Sequence, residues 1–183
     1  MGTPDLKQFA VRGEAANDER GPVNVRAYEP AIRERWDRFV LDHAEGSPHQ
    51  LIAWKQALEK TFRYEPVYFY AERDGEVTGV APMFMVSNWV MGRCLLSVPF
   101  GVYGGICAAD SESESVLLQH IKGLAVSERV SYLELRRRHG RLLEDFYPND
   151  LYVTFTCPIS ADNDKNLRAL PKDTRYMIRK AQK

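Results

Sequence analysis

Val67-Tyr68-Phe69-Tyr70-Ala71-Glu72-Arg73-Asp74-Gly75-Glu76-Val77-Thr78-Gly79-Val80-Ala81-Pro82-Met83-Phe84-Met85-Val86 is the stretch that decides the fold. Aromatic and β-branched residues dominate its first arm, Val67 to Glu72, and the second arm runs from Glu76 to about Val86. Both suit a pleated, half-buried surface. Asp74-Gly75 between them supplies the two positive-φ positions of a tight hairpin turn. Ser87-Asn88 and Met91-Gly92 bracket a further turn, and Cys94 to Val98 makes a third apolar strand. Strands joined by short turns predict an antiparallel meander.

Helices flank this centre. Upstream, Val23 to Tyr28 alternates as a strand does, and Pro30 sits where a helix's first turn tolerates it. Ile32, Trp36, Phe39, Val40 and His43 then recur at helical spacing. Ser47-Pro48-His49-Gln50 reads as a capping box with Pro at the first position, opening a second helix with Leu51, Trp54, Leu58 and Phe62 on its apolar face. Downstream, Ser111-Glu112-Ser113-Glu114 gives another such box. Val116, Leu117, His120, Ile121, Leu124 and Ala125 form the stripe behind it. Tyr132 to Arg136 and Leu151 to Thr156 read as strands, with one helical turn between Leu142 and Phe146. The sum is a mixed sheet covered by helices, an α/β or α+β architecture.

The chain has 183 residues, 44% hydrophobic and 27% charged, with 25 Lys+Arg against 25 Asp+Glu and a pI near 6.9. That excludes attachment to nucleic acid or membrane by bulk charge and leaves only local patches. No basic patch interleaved with aromatics is visible, so sequence-specific DNA or RNA readout is not expected. Cys94, Cys107 and Cys157 show no metal-ligand spacing and read as buried thiols of a reducing compartment. No leader-like apolar run and no membrane-length stretch occurs, so the chain reads as soluble and cytoplasmic. Residues 1–22 read as a flexible lead, 23–160 as the main domain and 161–183 as a basic helical segment.

Three stretches hold candidate chemistry. In Val98-Pro99-Phe100-Gly101-Val102-Tyr103-Gly104-Gly105-Ile106 the glycines interrupt an apolar run. This is either a bulged connection packed on a neighbour or an opening where a ligand approaches the backbone and meets Tyr103. It lacks the patterns of a P-loop or a dinucleotide fingerprint. Near the end, Lys165, Arg168, Lys172, Arg175, Arg179, Lys180 and Lys183 outnumber the acids. Arg175 and Arg179 are four apart, so they share one helix side as a phosphate clamp or a solvated face. Third, Glu134 and Arg136 share a strand face, as an ion pair or a joint ligand contact, with Arg137 and Arg138 expected outside. His43 and His120 read as packed, His49 as a surface residue, and no catalytic triad can be nominated.

Several of these pieces, in order across residues 23–183, resemble the FemAB family, particularly FemAB-related GNAT-like proteins found near exopolysaccharide gene clusters. They are Trp36-Asp37-Arg38-Phe39-Val40, Trp54 ahead of Phe62, Gly75 to Met83, Ser97 to Ile106, Tyr132 to Arg136, and Leu170 to Ala181. The resemblance implies a GNAT-like mixed, largely antiparallel sheet flanked by helices, and two such halves in tandem. It implies N-acyltransferase or aminoacyltransferase activity on an amine-bearing cell-envelope or exopolysaccharide precursor. The acceptor is then a small molecule or is nucleotide- or lipid-linked. The donor is acyl-CoA or aminoacyl-tRNA as a co-substrate in the complete protein, with no tightly bound cofactor. By the same resemblance Tyr103 contacts the acceptor and Arg175 or Arg179 holds phosphate; the loop reading adds Gly104 and Gly105, and the strand reading Arg136, to the expected substrate-binding residues. The last helix has no downstream partner for Met177 and Ile178. The chain is therefore expected to be the first, acceptor-binding half of such an enzyme, with a second half in cis or trans. A non-catalytic ligand-binding module of the same fold, or an RNA-contacting domain acting through the basic segment and tRNA, are the competing expectations.

Overall fold

The computed structural model describes residues 20–88, 92–138, 143, 145–149 and 153–182. They fall into two compact units, Met1–Gly140 and Arg141–Lys183.

In the first unit the hairpin forms as the sequence predicts. Strands β2 (Glu65–Arg73) and β3 (Glu76–Asn88) pair antiparallel and are joined by Asp74 (φ 51°) and Gly75 (φ 81°). Strand β1 (Asn24–Ala27) pairs with the outer edge of β2, and β4 (Gly92–Ser97) with the far side of β3, both antiparallel. The meander ends there. A two-residue strand β5 (Cys107–Ala108) returns to β3, and β6 (Tyr132–Glu134) lies parallel to β4. A parallel neighbour requires a crossover. Helix α3 (Ser111–Ser127) supplies it. The sheet is therefore mixed, in the order β1-β2-β3-β4-β6.

Both sheet faces are covered, as the alternation along β3 requires. Val80 and Phe84 turn toward helices α1 (Arg33–Asp42) and α2 (Ile52–Phe62), where they meet Trp36, Val40, Ile52 and Leu58. Ala81, Met83 and Met85 turn to the opposite face, where Leu117 and Ile121 of α3 close the second core.

Two helix starts differ from expectation. The Ser47 capping box is present, but it closes a separate one-turn 3-10 helix, Pro48–Gln50. Leu51 then turns extended (ψ 151°), and α2 begins at Ile52, whose N–H donates to Asp37 Oδ1 at 2.8 Å. Helix α3 is capped by Asp110, not by a box at Ser111; its carboxylate accepts from Ser113 N–H at 2.8 Å.

The second unit holds α4 (Asn163–Ala169) and α5 (Lys172–Ala181). The strand expected at 151–156 is not found in its described part: 153–156 form no strand with any described residue, and Val153 and Phe155 are exposed. Alternation makes a strand only where a partner supplies hydrogen bonds. Leu151 and Tyr152 lie outside the described residues, as do Leu142 and Glu144 of the expected helical turn, Lys183, and residues 1–19 of the expected lead. Among the described residues no helix is long and apolar enough to cross a membrane. Cys94 and Cys107 are buried, and burial pushes the Cys107 thiol up to about 12; Cys157, expected inside, is exposed.

Candidate functional site

The glycine-rich loop lies where β4 leaves β3. Ser97 stands opposite Met83, and Cys107 opposite Val80, so the nine residues between Ser97 and Cys107 are set against only two between Val80 and Met83. The excursion is strained. Val98 (φ 37°) and Phe100 (φ 63°) occupy left-handed backbone, which is uncommon outside glycine and an outlier for a β-branched side chain. Such strain persists only where surrounding contacts over-determine it, and it collects at ligand and active sites.

Those contacts come from two directions. From the strand side, the Arg136 carbonyl accepts from both Gly104 N–H (2.9 Å) and Gly105 N–H (3.0 Å). Arg136 N–H donates to Ser97 Oγ at 2.8 Å, and its guanidinium donates to the Gly101 carbonyl at 2.6 Å while pairing with Glu134 at 2.6 Å. From the helical side, Ser47 Oγ donates to the Tyr103 carbonyl and Gln50 Nε2 to the Gly105 carbonyl, each at 2.8 Å. Gln50 is itself buried and held by Trp36, whose indole N–H donates to the Gln50 carbonyl at 2.8 Å.

The structure thus joins four of the expected site residues, Tyr103, Gly104, Gly105 and Arg136, in one hydrogen-bonded assembly. The two glycine amides are committed to Arg136 and form no open phosphate cradle. Tyr103 is half-buried, with the Arg138 guanidinium 5.9 Å from its ring centre. Glu134 and Arg136 make the anticipated ion pair. Arg137, expected outside, is half-buried and pairs with Glu114 at 2.6 Å. Arg175 and Arg179 belong to the second unit, on α5; the Arg175 guanidinium donates to the Arg168 carbonyl at 2.9 Å, and Arg179 is exposed.

Around the loop tip an aromatic shelf stands in solvent. Phe100 is 59% exposed and lies 4.6 Å from Phe62 and 6.2 Å from Tyr64, nearly parallel to the latter. Val102 beside it is exposed. Clefts of about 340 and 260 Å³ elsewhere in this unit include none of the loop residues. In the smaller one Arg35 is already engaged by Glu72 and the Gly75 carbonyl.

The N-terminus of α3 is closed to anions. Helix N-termini attract phosphate through free N–H groups. Here Asp110 takes one of those groups, and Glu112 and Glu114 occupy the first turn. Ser113 N–H holds the Asp110 carboxyl below its ordinary 3.8; burial opposes this and Arg73 assists.

Residues 47–50 were legible as a cap but not as a brace, because their partners lie more than fifty positions away. His49, expected on the surface, is half-buried, and a Cβ at Gly101 would stand 2.9 Å from its ring. His43 is packed as expected, with Nε2 3.1 Å from the Ala108 carbonyl oxygen; His120 is exposed, although its ring meets Phe69.

The two central glycines are unequal. Gly104 (φ 153°) holds a conformation that side chains rarely adopt, and a Cβ there would lie 2.7 Å from a Val98 methyl. At Gly105 a Cβ would lie 3.3 Å from the Arg137 side chain, and at 3.5 Å in ordinary contact with the Arg136 carbonyl oxygen. Gly104→Ala is expected to destabilise by about 1–3 kcal/mol and Gly105→Ala by under about 1 kcal/mol. Paired urea melts would show the difference, and equal midpoints would contradict it.

No protein-family model and no curated protein sequence matches this chain. Solved structures do match. A ribosomal-protein-alanine N-acetyltransferase from Brucella melitensis biovar Abortus aligns with a TM-score of 0.50 at 13% identity, covering 75% of this chain and 99% of that one. A predicted acetyltransferase with acetyl-CoA from Clostridium acetobutylicum aligns with a TM-score of 0.51 at 10% identity, covering 74% and 96%. At such identities the likeness speaks for architecture alone. It agrees with the mixed sheet, the flanking helices and the crossover to β6: the chain carries the GNAT acetyltransferase fold.

Proposed function

We propose that this chain is the acceptor-binding half of a FemAB-related N-acyltransferase or aminoacyltransferase, acting on an amine-bearing cell-envelope or exopolysaccharide precursor. The observation that carries the reading is the strained, doubly braced loop from Val98 to Ile106, which holds Tyr103 and the Phe100 shelf at the end of the parallel pair β4 and β6. Rigid placement of a recognition loop is what acceptor positioning requires, since orientation supplies much of the rate of a two-substrate transfer. The acidic first turn of α3 also argues against a phosphate-rich donor there. In this reading the acyl-CoA or aminoacyl-tRNA donor belongs to a second GNAT-type half, in cis or trans. Arg175 and Arg179, sharing one side of α5, hold the acceptor's phosphates.

Calorimetric titration with a nucleotide-linked muropeptide tests this. Tyr103→Ala is expected to weaken binding about tenfold or more, and charge reversal at Arg175 together with Arg179 to abolish it. Unchanged affinity in the double charge reversal removes the phosphate assignment, and unchanged affinity in both variants removes the reading. Binding of tRNA that falls steeply with salt would favour an RNA-contacting role instead.

A further inference from the structure

Besides the Gln50 N–H of the capping box, which donates to the Ser47 carbonyl at 2.9 Å, the Ser47 hydroxyl has three polar neighbours at hydrogen-bond distance: the Tyr103 carbonyl oxygen at 2.8 Å, the His49 backbone N–H at 3.1 Å and His49 Nδ1 at 3.1 Å. A carbonyl oxygen only accepts and a backbone N–H only donates, while a hydroxyl has one hydrogen and two lone pairs. The hydrogen therefore goes to Tyr103, and one lone pair receives the His49 N–H. The remaining lone pair faces Nδ1, which must carry a hydrogen to make the contact favourable. A neutral imidazole has a single N–H, so its Nε2 is left as a bare acceptor. Among the described residues Nε2 has no hydrogen-bond partner. His43 differs, since both of its ring nitrogens are engaged.

The ring is held as well as polarised. It stands edge-on to Trp54 at 4.8 Å, and Gly101 packs so closely that any side chain there would strike it. Trp54 Nε1, in the same contact, is buried without a hydrogen-bond partner among the described residues. Charged groups near this corner include Arg136, which donates to the Gly101 carbonyl and pairs with Glu134, and Arg138, over the ring of Tyr103.

We propose that His49 Nε2 is the proton acceptor for the acceptor's amine, an inference that rests on the acceptor-binding reading above. The amine nitrogen attacks the carbonyl carbon of a thioester or ester donor. The C–N bond forms, the C–S or C–O bond breaks, and its electron pair leaves with the thiolate or alkoxide. The amine's surplus proton passes to Nε2, and the resulting imidazolium returns it to the leaving group. Nδ1–H stays on Ser47 in both protonation states, so the ring need not reorient during the transfer.

Long-range proton–nitrogen correlation spectra of the 15N-labelled chain read the tautomer directly, with the His49 signals assigned by their loss in His49→Gln. The expected result is a protonated Nδ1 and an unprotonated Nε2. Ser47→Ala should release the ring toward the Nε2–H form. Titration with Nα-acetyl-lysine amide should then shift the Nε2 resonance together with the amides of Gly104 and Gly105. An Nε2–H tautomer in the unaltered chain overturns the assignment. A shift of the glycine amides with Nε2 unmoved overturns it too, but leaves the acceptor-binding reading standing; no shift anywhere ends both. In a transfer assay supplied with an acyl donor, His49→Asn keeps a donor for Ser47 but loses the base. It should lower kcat about 10²-fold or more with KM little changed, and an unaltered kcat contradicts the role.

Discussion

Replacing Trp36 by alanine should lower the unfolding free energy by about 4 kcal/mol, a large share of the roughly 5–15 kcal/mol that holds a typical domain. The indole is fully buried, stacks on Tyr68 at 5.3 Å and meets Tyr28 edge-on at 5.7 Å. Alanine leaves a cavity lined by those rings and removes the only donor that Trp36 offers to the Gln50 carbonyl. The effect should also reach the glycine loop, because Gln50 carries the Gly105 carbonyl on its side chain. Trp36→Phe, which restores most of the volume but not the N–H, should cost about 1–2 kcal/mol. Urea melts separate these cases if the slope is unchanged, and an alanine variant within about 1 kcal/mol of the parent would refute the packing argument.

The second large effect is expected at Arg73. Its side chain is only 6% exposed and pairs with Asp110 at 2.8 Å and Glu112 at 2.6 Å, fastening the β2–β3 hairpin to the start of α3. Arg73→Met strips both carboxylates of their cation. A fully buried pair broken in this way costs about 3–5 kcal/mol. Glu112 is half-exposed and Asp110 keeps its bond from Ser113, so about 2–3 kcal/mol is expected here. Acid should act in the same place. Asp110 titrates below 3.8 when folded, chiefly because Ser113 N–H holds the carboxylate. Its stabilising contribution is therefore complete above about pH 4 and declines as pH falls through the depressed folded value. Asp110→Asn should flatten stability against pH in that acid range, and an unchanged acid limb would contradict the linkage.

The centre of the fold was legible because local signals agreed there. Period-two alternation, aromatic and β-branched residues and Asp74-Gly75 all specify one hairpin, and the structure places it at residues 65–88. Strand direction is not written in such a pattern. The Tyr132 stretch reads alike whether parallel or antiparallel, and only the crossover through α3 makes it parallel to β4. The Ser47 box shows the same limit: its four residues announce a helix start, but the extended Leu51 interrupts, and the distant Tyr103 and Gly105 carbonyls decide what the box supports. At the site, the run of glycines pointed to an unusual backbone, and Tyr103, Gly104, Gly105 and Arg136 do meet. His49 reads as a surface residue in the sequence because its environment is assembled from segments far apart in the chain, including Gly101.

The carbonyl of Arg136 accepts two glycine amides, its N–H reaches Ser97, and its guanidinium reaches Gly101. One residue thus couples the exit of β6 to the loop between β4 and β5. Opening the loop without lifting that exit would break the three bonds from Arg136 to Gly101, Gly104 and Gly105 at once. The amides of Gly104, Gly105 and Arg136 should therefore surrender their protons to heavy water at one common rate, as a single cooperative unit rather than as a fraying surface turn. A recognition element built this way keeps its shape between encounters, because its smallest allowed fluctuation is a concerted one.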